Sequence, residues 1–187
     1  MAITPFAPMT AQDLAEYPDD GLRYEIINGE LYAAPAPLLS HQELAARIFR
    51  LLDGAVNAAN AGKVYFAPVD VRLSRFDVVQ PDLLFVSRDR LSIFRDNQFV
   101  EGAPDIVVEI ASPSTRVIDL VRKAALYARS GVVEYWTVDP LRDALVINVL
   151  RNGRYEPAMA EADGRLRSAV LPDLAVDPEA LFAGLPG

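Results

Sequence analysis

Residues 104–111 have the sequence PDIVVEIA, the most apolar strand-like segment of the chain. Its nearly continuous run of apolar residues predicts a central β-strand that is covered on both faces. Glu109 interrupts this run between Val108 and Ile110. A lone glutamate buried in such a strand would have a raised pKa and would destabilise the fold. We therefore expect Glu109 to have either an ion-pair partner or a function.

A second apolar segment, VVQPDLLFV at residues 78–86, also carries one acid. Asp82 follows Pro81, and its apolar neighbours occupy both faces of the predicted strand. Two interpretations are open: the carboxylate emerges where the sheet opens or meets a partner, or it bonds backbone amides at a strand start. An acid on each of two hydrophobic strands is costly if it is buried unpaired. Side by side, Asp82 and Glu109 would bind a divalent metal ion.

A lysine follows in an amphipathic segment, residues 117–130, which is predicted to be a helix ended by a glycine. Asp119, Lys123 and Tyr127 recur at helical spacing and therefore share one face. One interpretation is an exposed pair between Asp119 and Lys123. The other is that the helix packs back on the sheet and directs Lys123 at Glu109, where its ammonium group would neutralise an anionic substrate.

Three further residues are weaker candidates for a site. His41 is the only histidine, at the start of a predicted helix, and is either structural or an accessory group. Glu25 lies on a predicted strand and would either pair with Arg23 of its own hairpin or complete a metal site. Asp70 also lies on a predicted strand and is a weaker candidate than Glu25. Asp105 is most simply a residue at a strand entry.

The order of predicted elements indicates an α/β fold with a mixed β-sheet. Asn-Gly pairs at residues 28–29 and 152–153 predict hairpins, and Ser40 is expected to cap the long helix with Glu43 at the capping-box position. The predicted helices are 10–17, 41–60, 117–130 and 178–182, and the predicted strands are 23–27, 30–34, 63–73, 78–86, 106–111, 134–138, 144–150, 154–159 and a run near 167–170. Residues 87–103 are expected to form an irregular loop with a short helical turn.

Composition narrows the class of protein. The chain has 187 residues, 51% of them hydrophobic, which predicts a single domain over residues 1–187 with its core at about 10–182. There is no cysteine, so disulfides, zinc–thiolate sites and thiol catalysis are excluded. The sequence lacks a membrane-length apolar run and a signal peptide, which favours a cytoplasmic protein.

The charge distribution gives no general signature of nucleic-acid binding. The formal net charge is −8, whereas proteins that bind DNA tightly and nonspecifically usually have a basic footprint. A local basic strip on or near the third helix is one interpretation and a solvated helix face is the other, and the residues concerned are Arg116, Arg122, Lys123 and Arg129. Phosphate-binding loops, a Gly-x-Ser-x-Gly nucleophile motif and paired-histidine metal sites do not occur in the sequence.

Five segments, in this order, resemble the Uma2 family. They are YEIINGEL at 24–31, SHQ at 40–42, QPDLL at 80–84, PDIVVEIASPS at 104–114 and GVVEYWTVDP at 131–140. The family is also known as DUF820 and is placed in the PD-(D/E)XK restriction-endonuclease-like superfamily. The resemblance covers about residue 10 to about residue 182, and it implies a restriction-endonuclease-like mixed β-sheet flanked by helices, with a nuclease-type site on the sheet.

The resemblance also implies roles for individual residues. Asp82 matches the aspartate of the Pro-Asp motif, and Glu109 matches the second acid. The superfamily pattern has a lysine two positions later, where this chain has Ala111. Lys123 lies where members of the family commonly carry a lysine, which suggests a migrated catalytic lysine. Glu25 and His41 also fall at motif positions of the family.

The activity implied by the resemblance is metal-dependent hydrolysis of DNA phosphodiester bonds. Mg²⁺ or Mn²⁺ would be held by Asp82 and Glu109, with Glu25 as a further ligand, and Lys123 would orient water or stabilise the transition state. His41, Asp70 and Tyr127 are expected to be accessory. A homodimer is expected, with the apolar residues 171–185 as a candidate interface. The alternatives are a catalytically inactive binding or regulatory protein that keeps the fold, and a structural homodimer with an unrelated ligand.

Overall fold

The computed structural model describes residues 7–18, 20–34, 36–112 and 121–186. The helices are α1 (Ala11–Leu14), α2 (Leu39–Ala59), α3 (Lys123–Ser130) and α4 (Pro178–Phe182), with a 3₁₀ helix at Arg88–Ile93. The strands are β1 (Arg23–Ile27), β2 (Glu30–Ala34), β3 (Gly62–Phe66), β4 (Asp70–Ser74), β5 (Asp77–Val79), β6 (Leu83–Ser87), β7 (Phe94–Arg95), β8 (Phe99–Glu101), β9 (Ile106–Ile110), β10 (Glu134–Asp139), β11 (Ala144–Arg151), β12 (Arg154–Pro157), β13 (Leu166–Arg167) and β14 (Ala175–Val176).

The strands form two large mixed sheets. The first sheet has the order β2-β1-β5-β4-β8-β7, and the second has the order β12-β11-β10-β9-β6-β3. Parallel pairing joins β4 to β8 in the first sheet and β9 to β10 in the second, and the remaining neighbours are antiparallel. The prediction of an α/β fold with mixed pairing and flanking helices is confirmed, with the strands divided between two sheets.

Two predicted strands are wrong because each is broken at a proline. The predicted strand 63–73 is divided into β3 of the second sheet and β4 of the first, with Pro68 between them. The predicted strand 78–86 is divided into β5 of the first sheet and β6 of the second, with Pro81 between them. Proline has no N–H to donate and cannot continue a central ladder. The chain therefore crosses between the sheets at both prolines.

Residues 87–103 are more regular than the sequence predicts. The expected helical turn is present as the 3₁₀ helix, but β7 and β8 follow it and extend the first sheet. The backbone turns between them through Asp96 and Asn97, both at positive φ, a conformation that these two residue types tolerate better than most. The prediction of an irregular loop is therefore wrong for this pair of strands.

Helix α2 lies where the sequence predicts a helix, but its start differs. Its N-cap residue is Leu38, which makes no side-chain capping bond, whereas Ser40 lies within the helix. The expected Ser40 cap is therefore wrong. The predicted helix 10–17 is present but shorter, at Ala11–Leu14, and Thr10 and Asp13 form a reciprocal capping box. Gly131 ends α3 at φ 86°, as predicted, and residues 117–120 of that predicted helix lie outside the described residues.

Two apolar clusters lie on opposite faces of the second sheet, and together they fix its orientation. One contains the buried side of α2 with Ile106, Val108 and Ile110 of β9. The other contains Val107 with residues of the first sheet and of α3. Because side chains alternate along a strand, Glu109 shares its face with Val107 and is directed toward α3.

The C-terminal apolar residues pack into the protein's own core. Leu171, Leu174, Val176, Leu181 and Phe182 are buried in the cluster that also contains α2. The expectation that the segment 171–185 supplies an interface is therefore wrong for these side chains, because they are already covered within the chain. In the part of the chain that the structure describes, no helix combines the length and the apolar character needed to cross a membrane.

Candidate active site

The site lies where the chain passes from the first sheet to the second. Asp82 directly precedes β6, and Glu109 is the fourth residue of β9. These strands are antiparallel neighbours, with Leu83 opposite Val108. One step further along the ladder, Asp82 and Glu109 therefore flank the same end of the pair. The proline that breaks the predicted strand thus leaves Asp82 just outside the ladder, immediately before the first residue of β6.

Asp82 is buried, and three donors hold its carboxylate. Its Oδ2 accepts hydrogen bonds from the Ile110 backbone N–H at 2.8 Å and from His41 Nε2 at 3.1 Å. Its Oδ1 lies 3.2 Å from Arg23 Nη1. Burial raises the pKa of Asp82, but the His41 hydrogen bond and charge, the Ile110 amide and Arg23 together lower it below its ordinary value. Asp82 is therefore ionised at neutral pH.

Glu109 is buried against the inner side of α3. Its Oε1 accepts hydrogen bonds from Lys123 Nζ at 3.0 Å and from the Tyr127 hydroxyl at 2.6 Å. Burial and the charges of Glu109 and Glu25 raise the pKa of Tyr127 well above its ordinary value. Tyr127 is therefore a hydroxyl donor that holds Glu109 throughout the physiological range of pH.

Glu25 is the second carboxylate that contacts the lysine. Its Oε1 lies 2.9 Å from Lys123 Nζ and accepts the Gln80 backbone N–H at 2.7 Å. The Gln80 side chain in turn donates through Nε2 to Asp70 Oδ1 at 2.9 Å, and its buried Oε1 has no partner among the described residues. A continuous chain of hydrogen bonds thus links Asp70 and Glu25 to Lys123 and Glu109.

The structure brings all the predicted site residues into two adjoining networks. Asp82 and His41 belong to one, and the other contains Glu25, Glu109, Lys123, Tyr127 and Asp70. Two interpretations of Lys123 were open, an exposed pair with Asp119 or a contact with Glu109. The geometry favours the second, because the Lys123 ammonium group contacts Glu109. Asp119, the alternative partner, lies outside the described residues. Asp105 receives the Ser87 amide and Arg90, as expected for a residue at a strand entry.

Two contacts differ from the pairing considered from the sequence. Glu25 is bonded to Lys123 and not to Arg23, whereas Arg23 reaches across to Asp82. The alternation of side chains along β1 places Arg23 and Glu25 on one face, which is the signal that indicates Arg23 as a site residue. Gln80 was missed because a glutamine beside a proline shows no pattern that distinguishes it.

The basic strip considered from the sequence is not assembled from the described residues. Arg122 pairs with Glu30, Arg129 pairs with Asp77, and Lys123 is buried. Arg116 lies outside the described residues. Each described arginine of the strip therefore has an acidic partner, which reduces the positive potential that it presents to a polyanion.

The donor atoms of the site are those that a hard divalent cation prefers, because Asp82, Glu109 and Glu25 offer carboxylate oxygens. Among the described residues, however, no group of three or more histidine, cysteine or acidic side chains is arranged to hold a metal ion. Asp82 faces Arg23, and the two glutamates face Lys123. The residues thus fit Mg²⁺ or Mn²⁺ in chemistry, and a metal would have to replace a protein cation at Asp82.

Two mixed sheets flanked by helices are the architecture of a restriction-endonuclease-like α/β protein. The chain belongs to the Uma2 family, whose model, described as "Putative restriction endonuclease", matches residues 11–179. The crystal structure of a protein from Anabaena variabilis ATCC 29413, described as a putative nuclease belonging to DUF820, is similar with a TM-score of 0.79 and 17% identity. The match covers 96% of this chain and 100% of that one, and it shows the shared fold. No curated protein matches the chain.

Proposed function

We propose that the protein is a metal-dependent endonuclease that hydrolyses phosphodiester bonds in DNA. The observation that carries the proposal is the position of Lys123, whose Nζ lies 3.0 Å from Glu109 and 2.9 Å from Glu25. Ala111 occupies the position two residues after Glu109, where the superfamily pattern has its lysine. The ammonium group of Lys123 reaches the same acid from the following helix and supports the idea of a migrated catalytic lysine.

The metal ligands in this proposal are Asp82 and Glu109, with Glu25 as a further ligand. The bound Mg²⁺ or Mn²⁺ would supply Lewis-acid chemistry, lowering the pKa of a bound water and polarising the scissile phosphate. Carboxylates would therefore be the metal ligands. His41 is the only histidine of the sequence, and its Nε2 contacts Asp82. Metal affinity then depends on how these carboxylates are held.

The protein's own groups orient the carboxylates and supply positive charge. The Ile110 amide and His41 fix Asp82, and the Tyr127 hydroxyl fixes Glu109. Lys123 is placed to orient the attacking water or to stabilise the negative charge that develops on the phosphate. Because the lysine is buried between two glutamates, its position is set before substrate arrives, which reduces the reorganisation needed during the reaction.

The acidic character of the protein shapes how it would meet DNA. The formal net charge is −8, and the basic strip considered on α3 is largely paired with acids. General electrostatic attraction is therefore weak, and we expect DNA binding to depend on the metal and on the few cations at the site. A cytoplasmic homodimer remains part of the proposal.

The test is cleavage of plasmid, single-stranded and branched DNA with Mg²⁺ or Mn²⁺. We expect cleavage by the wild-type protein and none by Glu109→Ala or Asp82→Ala. Isothermal titration should show metal binding at millimolar concentrations or tighter, lost in both variants. Metal and DNA binding without cleavage would indicate instead an inactive binding or regulatory protein that keeps the fold. The absence of metal binding by the wild type would overturn the nuclease proposal.

A further inference from the structure

The two cations of the site are held in very different ways. Lys123 contacts both glutamates, at 2.9 and 3.0 Å, and its side chain is only 4% exposed. Arg23 contacts Asp82 through one nitrogen at 3.2 Å, and its side chain is 26% exposed. Among the described residues, Asp82 is the only acidic partner of Arg23. A guanidinium group has five N–H donors, so this contact uses only a small part of its capacity.

The two oxygens of Asp82 are also held differently. Oδ2 is fixed by the Ile110 amide and by His41, two groups that belong to the framework of the second sheet and of α2. Oδ1 faces Arg23. An incoming metal ion would therefore take Oδ1, the oxygen that the fold itself does not bind. Metal and guanidinium compete for that oxygen, and their like charges repel.

The position of Arg23 allows the exchange. It is the first residue of β1, two residues before Glu25, and its side chain emerges on the same face of the strand. Arg23 is partly exposed whereas Asp82 is buried, and a metal ion would supply the positive charge that Asp82 loses, so the arginine can leave without leaving a buried carboxylate unpaired. Once released at the mouth of the site, its planar fork is suited to bind a phosphate through two N–H donors.

We infer that Arg23 is an exchangeable cation, which neutralises Asp82 until a divalent metal displaces it and then binds a phosphate of the DNA. This inference rests on the proposed function, because it assigns a residue to substrate binding in that same site. Lys123 remains in place throughout. The exchange links metal binding to DNA binding: before metal arrives, the arginine that would contact a phosphate is engaged by Asp82.

The first measurement is the affinity for Mn²⁺ by isothermal titration, without DNA. Arg23→Gln removes the competing charge, and we expect it to bind Mn²⁺ about threefold more tightly or better. Arg122→Gln is the matched control, because Arg122 is a nearby arginine that pairs with Glu30 and not with a proposed ligand. We expect its Mn²⁺ affinity to stay within about twofold of the wild type. Thermal unfolding checks that both variants are folded.

The second measurement is fluorescence anisotropy with a short DNA duplex, with Ca²⁺ and without divalent metal. Ca²⁺ is another cation that prefers oxygen ligands, and a gel checks that the duplex remains intact. With Ca²⁺, Arg23→Gln should bind DNA about fivefold more weakly than the wild type, and without metal the two should bind alike. Arg23→Lys keeps the charge and should recover part of the loss. Any loss in Arg122→Gln should be the same under both conditions.

The outcomes distinguish a failure of the Arg23 exchange from a failure of the proposed nuclease function. If the wild type binds Mn²⁺ and Arg23→Gln binds it no more tightly, the exchange does not occur, although the nuclease proposal stands. A loss of DNA binding in Arg23→Gln that is equal with and without Ca²⁺ also overturns the exchange. If the wild type binds no metal, both the proposed function and the inference fail.

Discussion

Glu109 and Glu134 are buried glutamates on neighbouring parallel strands, but the protein satisfies their charges in opposite ways. Among the described residues, the donors to Glu134 are all neutral: the Trp136 indole, the Ser168 hydroxyl and the backbone amides of Ala169 and Val170. Glu109 instead contacts the Lys123 ammonium and the Tyr127 hydroxyl. Neutral donors to Glu134 join parts of the chain to each other, whereas the contact at Glu109 places a charged lysine beside a carboxylate of the candidate site.

The location of the donors supports this distinction. Glu134 binds the segment 168–170 and so attaches the C-terminal part of the chain to the second sheet. Glu109 binds α3, the helix that also carries the site lysine. Both carboxylate oxygens of Glu134 accept hydrogen bonds from groups fixed in the fold, which disfavours the binding of a ligand there. We therefore assign a structural role to Glu134 and a place in the proposed reaction to Glu109.

The strongest test of the comparison is Glu109→Gln, which keeps the shape of the side chain and removes its charge. We expect kcat/KM for DNA cleavage to fall about a thousandfold, because a bound metal supplies several kcal/mol of transition-state stabilisation. The free energy of unfolding should fall by about 2 kcal/mol, because a buried ion pair loses one charge while Lys123 keeps Glu25 as a partner. A large loss of stability with activity retained would contradict the assignment.

The converse variant, Glu134→Gln, should affect stability and spare the chemistry. In the wild type, both Glu134 oxygens accept hydrogen bonds. In the variant, the amide nitrogen would replace one of these oxygens and face the same donors, so we expect the free energy of unfolding in urea to fall by about 3 kcal/mol. Cleavage by the folded fraction should be unchanged. Glu156→Gln is the control, because Glu156 is exposed and its ion-pair partner among the described residues is Arg151, on the surface. A loss of activity in fully folded Glu134→Gln would end the distinction.

Lys123→Met tests the cation that makes Glu109 different from Glu134. We expect cleavage to fall about a hundredfold, the usual consequence of removing one donor that stabilises transition-state charge. Mn²⁺ affinity should rise, since two carboxylates lose their internal cation. Adding Ala111→Lys returns a lysine to the position of the superfamily pattern and should restore about tenfold of the activity. Unchanged cleavage in the single variant would remove Lys123 from the reaction.

The sequence predicts those features that depend on neighbouring residues. The turn at Asn28 and Gly29 and the end of α3 at Gly131 follow from backbone conformations that few residues adopt. The two acids were visible because a charge in an apolar strand is costly. The breaks at Pro68 and Pro81 were also predictable, because proline disfavours a central strand. The apolar residues on both sides of each proline nevertheless favoured one continuous strand.

The partners of the acids could not be derived in this way. Arg23 and Asp82 are 59 residues apart, and Lys123 and Glu25 are 98 apart. Such pairs are joined by the crossing of the chain between two sheets, which no local periodicity encodes. Glu134 was not recognised for the same reason, because three of its donors lie 34 to 36 residues later in the chain. Patterns thus identify residues that need a partner, and only the fold supplies the partner.

Asp82 gives the smallest and most specific test, because the pH dependence of stability reports how it is held. Its pKa is lowered in the folded state against the effect of burial, by His41, the Ile110 amide and Arg23. It therefore stabilises the fold fully above the unfolded value of about 4, and this stability is lost as pH falls through the folded value. Asp82→Asn should be less stable than the wild type at pH 7, and the difference should narrow below about pH 4. Curves of unfolding free energy that stay parallel down to pH 3 would show that the aspartate is not held in its charged form.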